Sequence, residues 1–395
     1  MPPSEQRTNH SALPPAFSPL TAGVSPRFKR SLQCIALAFI SMPAHALYQE
    51  YQLAGSIAAA PGYSFATAQY RLYTNEALLK KDFVAFEYDL DSLYGDYGYG
   101  ISQYFRAGAA AKAHVFDYQN LNHIVDPSTG AETKSVSLNA PFYKGQIYAE
   151  ARYKALALRY AAGAQKYELS KRETSNSALT VASPGVAFVH TAALGYWQLS
   201  APRSYAYTGV AAYLSVEAQQ LASPYVWQSS GAPVSVSREQ FTVHEIQLRA
   251  GEEFGGGALY LMAAARAGAT SFALPGETQD VIQSFSVGGP EARYRRLAGY
   301  VFSEFRVPAY GLINLDAIVR LAGPVNFWAI VDAGLFDREY NARRFHAGAG
   351  AGFIIDLPDN TLGSRSAVFV RAEMPFFAAG GNRFQVFMGI NGQVF

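Results

Sequence analysis

The chain closes on a succession of amphipathic segments, Leu312–Leu321, Phe327–Phe336, His346–Ile355, Ala367–Phe376 and Phe384–Phe395, the last ending on an aromatic residue. Each has about the 9–11 residues of a membrane-crossing strand, and none approaches the roughly 20 apolar residues of a membrane helix. Only helices and closed barrels cross a bilayer with every backbone group satisfied. The segments therefore point to an all-β fold, a transmembrane antiparallel β-barrel.

Upstream segments repeat the pattern. Val84, Phe86 and Tyr88 oppose Glu87 and Asp89; Ile147, Ala149 and Ala151 oppose Tyr148, Glu150 and Arg152. Val210, Ala212, Leu214 and Val216 oppose Tyr213, Ser215 and Glu217; Ile246 and Leu248 oppose Glu245, Gln247 and Arg249. Ile313, Leu315, Ala317 and Val319 oppose Asn314, Asp316 and Arg320. One face of each suits lipid and the other a wet lumen. About sixteen such strands fit between residue 64 and the end, and twelve or fourteen also fit, because each strand's signal is weak. The polar gaps 119–143, 170–186, 218–238 and 269–297 are expected to be loops. A soluble β-sandwich would also alternate, but with more Val, Ile and Leu on its core face.

Composition supports the barrel. Half the residues are hydrophobic, yet mean hydropathy is zero, so apolar residues are interleaved with polar ones. Charged residues make up 16%, below the soluble average of about 25%. The amino terminus reads differently. Arg27, Lys29 and Arg30 precede the apolar stretch Ser31–Met42, and Ala44-His45-Ala46 follows as a small-x-small cleavage site. This is the order of a secretory signal peptide, with an unusually long polar segment before it. The single Cys34 would leave with the leader, which excludes disulfides and thiolate metal sites from the remainder. Removing Arg7, Arg27, Lys29, Arg30 and Glu5 leaves the rest close to neutral, without the basic field that nucleic acid requires. The expected division is a leader at 1–46, a short periplasmic segment at 47–63 and the barrel at 64–395.

Enzymatic signatures are absent. There is no Gly-x-Ser-x-Gly elbow, no His-Glu-x-x-His and no phosphate loop. Gly348-Ala-Gly-Ala-Gly352 runs into Phe353-Ile-Ile rather than a helix, so it lacks the context of a nucleotide loop. His244-Glu245 places neighbours on opposite faces of a strand. His346, Asp332 and Glu373 are candidates to meet inside the barrel as acid and base. The histidines show no metal spacing. Neither an enzyme nor a cofactor is expected.

The carboxyl third carries a resemblance. Phe285-Ser-Val-Gly-Gly-Pro-Glu-Ala-Arg-Tyr-Arg-Arg-Leu-Ala-Gly-Tyr300 resembles the long sixth-loop signature of BamA/TamA-type outer-membrane assembly and secretion barrels, the bacterial surface antigen family. Ala329-Ile-Val-Asp-Ala-Gly-Leu-Phe336 is similar to that family's Asp-x-Gly strand, and His346-Ala-Gly-Ala-Gly-Ala-Gly-Phe353 to the Gly-rich strand after it. Val370–Phe376 and Phe384–Ile390 resemble the last two strands. The likeness implies a loop that folds back into the lumen, with an arginine paired to the aspartate of the Asp-x-Gly strand. Alternation places Asp332 inside, where a carboxylate needs a cation, and a guanidinium fork suits it best. The sequence departs at the tip: Leu297-Ala298-Gly299-Tyr300 has Ala298 where the family has arginine. Arg293, Arg295 and Arg296 precede it, and Arg296 is the best placed to reach Asp332. The residues of the implied loop–lumen lock are then Arg295, Arg296, Gly299, Tyr300, Asp332 and Gly334. Residues 47–63 are expected to be too few for the periplasmic modules typical of the family.

The terminus departs too. Counting back by twos from Phe395 gives Gln393, Asn391, Gly389 and Phe387, while Val394, Gly392, Ile390 and Met388 form the more apolar register. Either a bulge shifts the register or Phe395 points inward. The expectation is an outer-membrane barrel of the assembly or translocation type, acting on protein or lipid. Its partners would be outer-membrane lipid, the assembly machinery for its own insertion and unspecified client proteins. A passive pore or structural barrel, and a barrel hydrolase, are the alternatives.

Overall fold

The computed structural model describes residues 47–394 apart from 59–64, 77, 90–91, 115–117, 126–131, 140, 172–178, 181–184, 224–225, 230–231, 237–238, 271–284, 288–294, 301–304, 337–344, 359–364 and 377–383. The leader with Ala44 and Ala46, Arg293 and Phe395 lie outside the described residues.

Sixteen antiparallel strands close into one barrel. In chain order they are β1 Leu47–Ala58, β2 Phe65–Asn75, β3 Asp82–Asp89, β4 Ser92–Gly100, β5 Phe105–His114, β6 Phe142–Tyr153, β7 Leu156–Tyr167 and β8 Gly185–Arg203. The ring continues with β9 Ala206–Leu221, β10 Gln240–Phe254, β11 Leu259–Thr270, β12 Ala309–Ala322, β13 Val325–Phe336, β14 Phe345–Asp356, β15 Arg365–Pro375 and β16 Gln385–Val394. Each strand pairs with its sequence neighbours, and β1 pairs with β16 from Gln49↔Val394 to Ala58↔Gln385. Closure leaves the barrel sheet without a free edge, which is what a sheet in hydrocarbon requires.

The first strand corrects an expectation. Within the expected periplasmic segment 47–63, Leu47–Ala58 is a barrel strand paired on both sides. Glu50 and Gln52 face the lumen. Leu47, Tyr51, Leu53 and Ile57 take the opposite register, but Gln49 and Gly55 interrupt it.

Alternation governs the walls among the described residues. On β12, Ile313, Leu315 and Val319 are exposed on the outside while Asn314 is buried inside. On β13, Val331 and Leu335 face out and Asp332 faces in. On β16, Phe387, Asn391 and Gln393 line the lumen and Met388 faces out; the pairing of β16 with both neighbours is continuous, without a bulge. The outer face is a belt of exposed apolar residues, including Ile147, Leu158, Phe188, Leu214, Leu248 and Phe353.

The connections 115–141, 168–184, 222–239 and 271–308 leave from one end of the barrel, and two-residue turns such as 154–155, 204–205 and 323–324 close the other. Within the long connections, Tyr118–Val125 and Glu132–Asn139 form a sheet with Ser170–Lys171, and Val226–Ser229 and Ala232–Val236 form another with Leu179–Thr180.

One short turn enters the lumen. The β8–β9 hairpin shifts register between Ser200 and Arg203 and bends at Gly209, whose φ of +98° favours glycine. A Cβ there would lie 2.0 Å from the Gln198 carbonyl oxygen, so no larger residue fits. The tip reaches the opposite wall. Ser204 Oγ donates to Asn391 Oδ1 of β16 at 3.1 Å, Asn326 Nδ2 of β13 donates to the Tyr205 hydroxyl at 3.2 Å, and Arg365 of β15 donates to the Ala201 and Pro202 carbonyls at 3.3 and 3.1 Å. β8 and β16 stand half the ring apart. Tyr205 and Tyr207 pack onto an interior cluster that includes Tyr260, Met262, Ile318, Ile354, Phe369 and Phe387.

A loop clasped to the barrel wall

The connection between β11 and β12 returns into the barrel. Its flanks, Phe285–Val287 and Phe305–Val307, pair with each other. Between them, residues 295–300 lie against the inner wall.

Arg296 is the centre of the contact. It is 4% exposed, and its partner Asp332 is 0% exposed. Arg296 Nε donates to Asp332 Oδ1 and Oδ2 at 3.2 and 3.0 Å, and Nη2 donates to Oδ1 at 2.8 Å. The other side of the same guanidinium holds Asp316 of β12, Nη1 to Oδ1 and Nη2 to Oδ2, both at 2.9 Å. One fork thus bridges two carboxylates on adjacent strands, the geometry for which Arg is suited and Lys is not. Burial disfavours the charge on this loop residue, but Asp316 and Asp332 outweigh it and hold the guanidinium well above its ordinary pKa.

The backbone completes the clasp. Ala298 N–H donates to Asp332 Oδ2 at 2.9 Å and Gly299 N–H donates to Glu373 Oε2 of β15 at 3.0 Å. Glu373 is itself held by Arg371 Nε at 2.6 Å. Asn314 Nδ2 of β12 donates to the Arg296 carbonyl at 2.9 Å, and Trp328 Nε1 of β13 donates to Asp316 Oδ1 at 2.9 Å. Gly299 has φ +78°, and a Cβ on it would meet Pro375 N at 2.3 Å and Met374 C at 2.4 Å. The tip therefore sits directly on the β15 backbone, where only glycine fits.

Arg295 faces the other way. Its Nε donates to the Tyr310 hydroxyl at 2.8 Å and its Nη2 lies 3.3 Å from both Glu245 oxygens on β10. Its own φ of +58° is the strained left-handed region for a residue with a Cβ. Beside the charges is a dry cluster of Phe285, Leu297, Tyr300, Val307, Tyr310, Leu312 and Phe336.

Of the residues read from the sequence, the structure gathers Arg295, Arg296, Gly299, Tyr300 and Asp332 at one place. Gly334 is next to them, leaving room for the Phe336 ring, which a Cβ would approach to 2.8 Å. Asp332, Glu373 and His346, the candidate acid–base set, each meet a different part of the loop. Asp332 holds Arg296 and Ala298, Glu373 holds Gly299, and His346 lies 3.3 Å from the Tyr300 hydroxyl and stacks on Phe336. Ala298 is fully buried, and the guanidinium that meets Asp332 comes from Arg296, two positions earlier. Sequence reading missed Asp316, Asn314 and Trp328 as partners of the loop. The inward register of Asn314 and Asp316 was legible, but their reach to Arg296 depends on how the loop descends.

Known barrels share this fold. The chain is similar in structure to CdiB from Acinetobacter baumannii, with TM-score 0.53, 10% identity, 87% of this chain covered and 60% of that one. It is also similar to BamA from Haemophilus ducreyi lacking POTRA domains 1–3, with TM-score 0.54, 10% identity and coverage of 88% and 70%. CdiB from Escherichia coli gives TM-score 0.52, 12% identity and coverage of 89% and 64%. The chain thus spans less than two thirds of the length of either CdiB. No protein-family model matches the chain, and no curated protein matches it by sequence. At these identities the likeness establishes the fold, that of bacterial outer-membrane barrels.

Proposed function

We propose that the chain acts in the bacterial outer membrane as a barrel of the assembly and translocation type, taking part in the insertion or passage of protein or lipid. The observation that carries this reading is the clasp. The loop commits its guanidinium and backbone N–H groups to the barrel's own wall and so narrows the lumen rather than leaving an open conduit. The inward β8–β9 hairpin narrows the lumen a second time. The fold shared with BamA and CdiB supports the reading by analogy. In such barrels short turns face the periplasm and long loops face outward. The clasp then descends from the outer side and the hairpin rises from the inner one. Lipid would surround the apolar belt, and export would remove the leader.

With the lumen narrowed by these two segments, the β1–β16 seam is the working element of this proposal. Gly389 and Gly392 contribute no side chain to it. Leu53 and Ile390 are register partners there. The test is Leu53→Cys with Ile390→Cys, joined by a short bifunctional thiol reagent in proteoliposomes, while the folding rate of an added urea-denatured barrel protein is followed. Cross-linking is expected to abolish the acceleration, and reduced electrophoretic mobility on boiling will show that the barrel itself stays folded. Acceleration that survives the cross-link overturns the proposal. A steady conductance indifferent both to the cross-link and to Arg296→Ala would mark a passive pore instead.

A further inference from the structure

Next to the clasp lies a lumenal cavity of about 1140 Å³. Arg71, Arg203, Arg296 and Arg371 on its wall each have a carboxylate within salt-bridge distance. Arg249 of β10 and Arg266 of β11 line the same cavity and, among the described residues, have none. The strand register brings them together: Gln247 is paired with Arg266 across β10 and β11, and Arg249 follows Gln247 on the same face.

Gln247 turns its amide oxygen to both guanidiniums, an orientation assigned from its neighbours. It accepts from Arg249 Nε and Nη2 at 2.7 and 2.8 Å and from Arg266 Nε and Nη2 at 3.1 and 2.9 Å. One neutral oxygen with two lone pairs cannot satisfy two cations, and the Nη1 group of each is left over. Arg266 is only 8% exposed. Two like charges, one buried and one half-buried, thus converge on a single neutral acceptor, an arrangement that costs free energy until an anion joins it. Guanidinium forks match the oxygens of phosphate in pairs. A half-turn of the Gln247 amide would add its NH₂ as a further donor.

We propose that Arg249, Arg266 and Gln247 form a lumenal binding site for a phosphate group, either free or borne on a lipid headgroup. This goes beyond the transport reading, since the site would bind whether or not the seam opens.

The test uses the full chain refolded in a zwitterionic detergent at fixed ionic strength, with calorimetric titration and thermal unfolding. One arm adds inorganic phosphate and the other adds short-chain phosphatidic acid. Saturable binding in either arm, with a raised Tm, is expected, and the arm that responds identifies the source. Arg249→Gln and Arg266→Gln should each weaken binding about tenfold, the loss of one charge-assisted pair. Gln247→Glu guards against a variant that fails to fold, because it supplies an internal carboxylate. It should raise the Tm without added anion and remove the response to phosphate. Absence of saturable binding in both arms, or a response unchanged by Gln247→Glu, overturns the proposal.

Discussion

Replacing Arg296 with alanine removes five close donor–acceptor contacts and leaves Asp332 and Asp316 facing a cavity with no shared cation. Asp332 is fully buried, and it retains the Ala298 N–H at 2.9 Å. Breaking a buried pair by removing one partner typically costs about 3–5 kcal/mol, because the other charge stays desolvated. Two carboxylates depend on this one guanidinium, so the upper half of that range is expected. Asp332→Asn is milder: it keeps the shape and leaves Arg296 on Asp316, for a loss of about 1.5–3 kcal/mol, the worth of a charged hydrogen bond. The informative variant is the double. Once Arg296 is gone, Asp332→Asn removes an orphaned charge and should raise stability, so the substitution changes sign between the two backgrounds. Urea unfolding in detergent micelles would measure this. Trp328 serves as the reporter, since its Nε1 bonds Asp316 and its ring lies 4.1 Å beneath the Arg371 guanidinium. If Arg296→Ala costs less than about 0.5 kcal/mol, or if Asp332→Asn destabilises both backgrounds alike, the clasp is not held by this ion pair.

Other outcomes follow from the same geometry. Gly299→Ala forces a Cβ onto the β15 backbone at 2.3–2.4 Å and strains φ, so the tip should withdraw from Glu373. A loss of about 2 kcal/mol and faster proteolysis of the loop are expected, and unchanged proteolysis would count against the close seat. Val331→Arg places a cation on the outer face of β13, where the native side chain is 48% exposed, and should cost about 2–4 kcal/mol in a bilayer if the site lies near the midplane. The same variant should cost far less in a water-exposed loop, so equal losses would argue against a lipid-facing wall. Arg296→Lys keeps the charge but not the fork. It should fall between wild type and Arg296→Ala in urea midpoint, and a midpoint equal to wild type would show that the bidentate geometry is immaterial.

Much of the barrel was legible because side chains in a strand alternate with period two. That period alone places Ile313 and Leu315 outside, Asn314 and Asp316 inside, and Asp332 in the lumen. What stayed hidden depends on long-range register or on backbone path. The Leu47–Ala58 strand alternates Glu50 and Gln52 against Leu47, Tyr51, Leu53 and Ile57, but Gln49 and Gly55 break the apolar register and the segment follows directly on the leader. Its place is fixed by the edge of β16, more than 300 residues away in sequence. Gln247 and Arg249 were read onto one polar face, but the approach of Arg266 is set by the β10–β11 pairing. The inward turn of 200–207 had cues in Pro202 and Gly209, which also suit ordinary turns.

That inward turn has a consequence for how the barrel is completed. Ser204 and its seat on Asn391 are 187 residues apart, and Tyr205 and Asn326 are 121 apart. The hairpin is made long before the strands that receive it, so it cannot dock until the last quarter of the sheet has closed in correct register. Once docked, it acts as a strut across the diameter of a ring. A sixteen-stranded hoop without such a brace can flatten into an oval with little loss of pairing; a braced one must first release the hairpin's hydrogen bonds to β13, β15 and β16. The hairpin thus ties the middle of the chain to its last strands across the lumen.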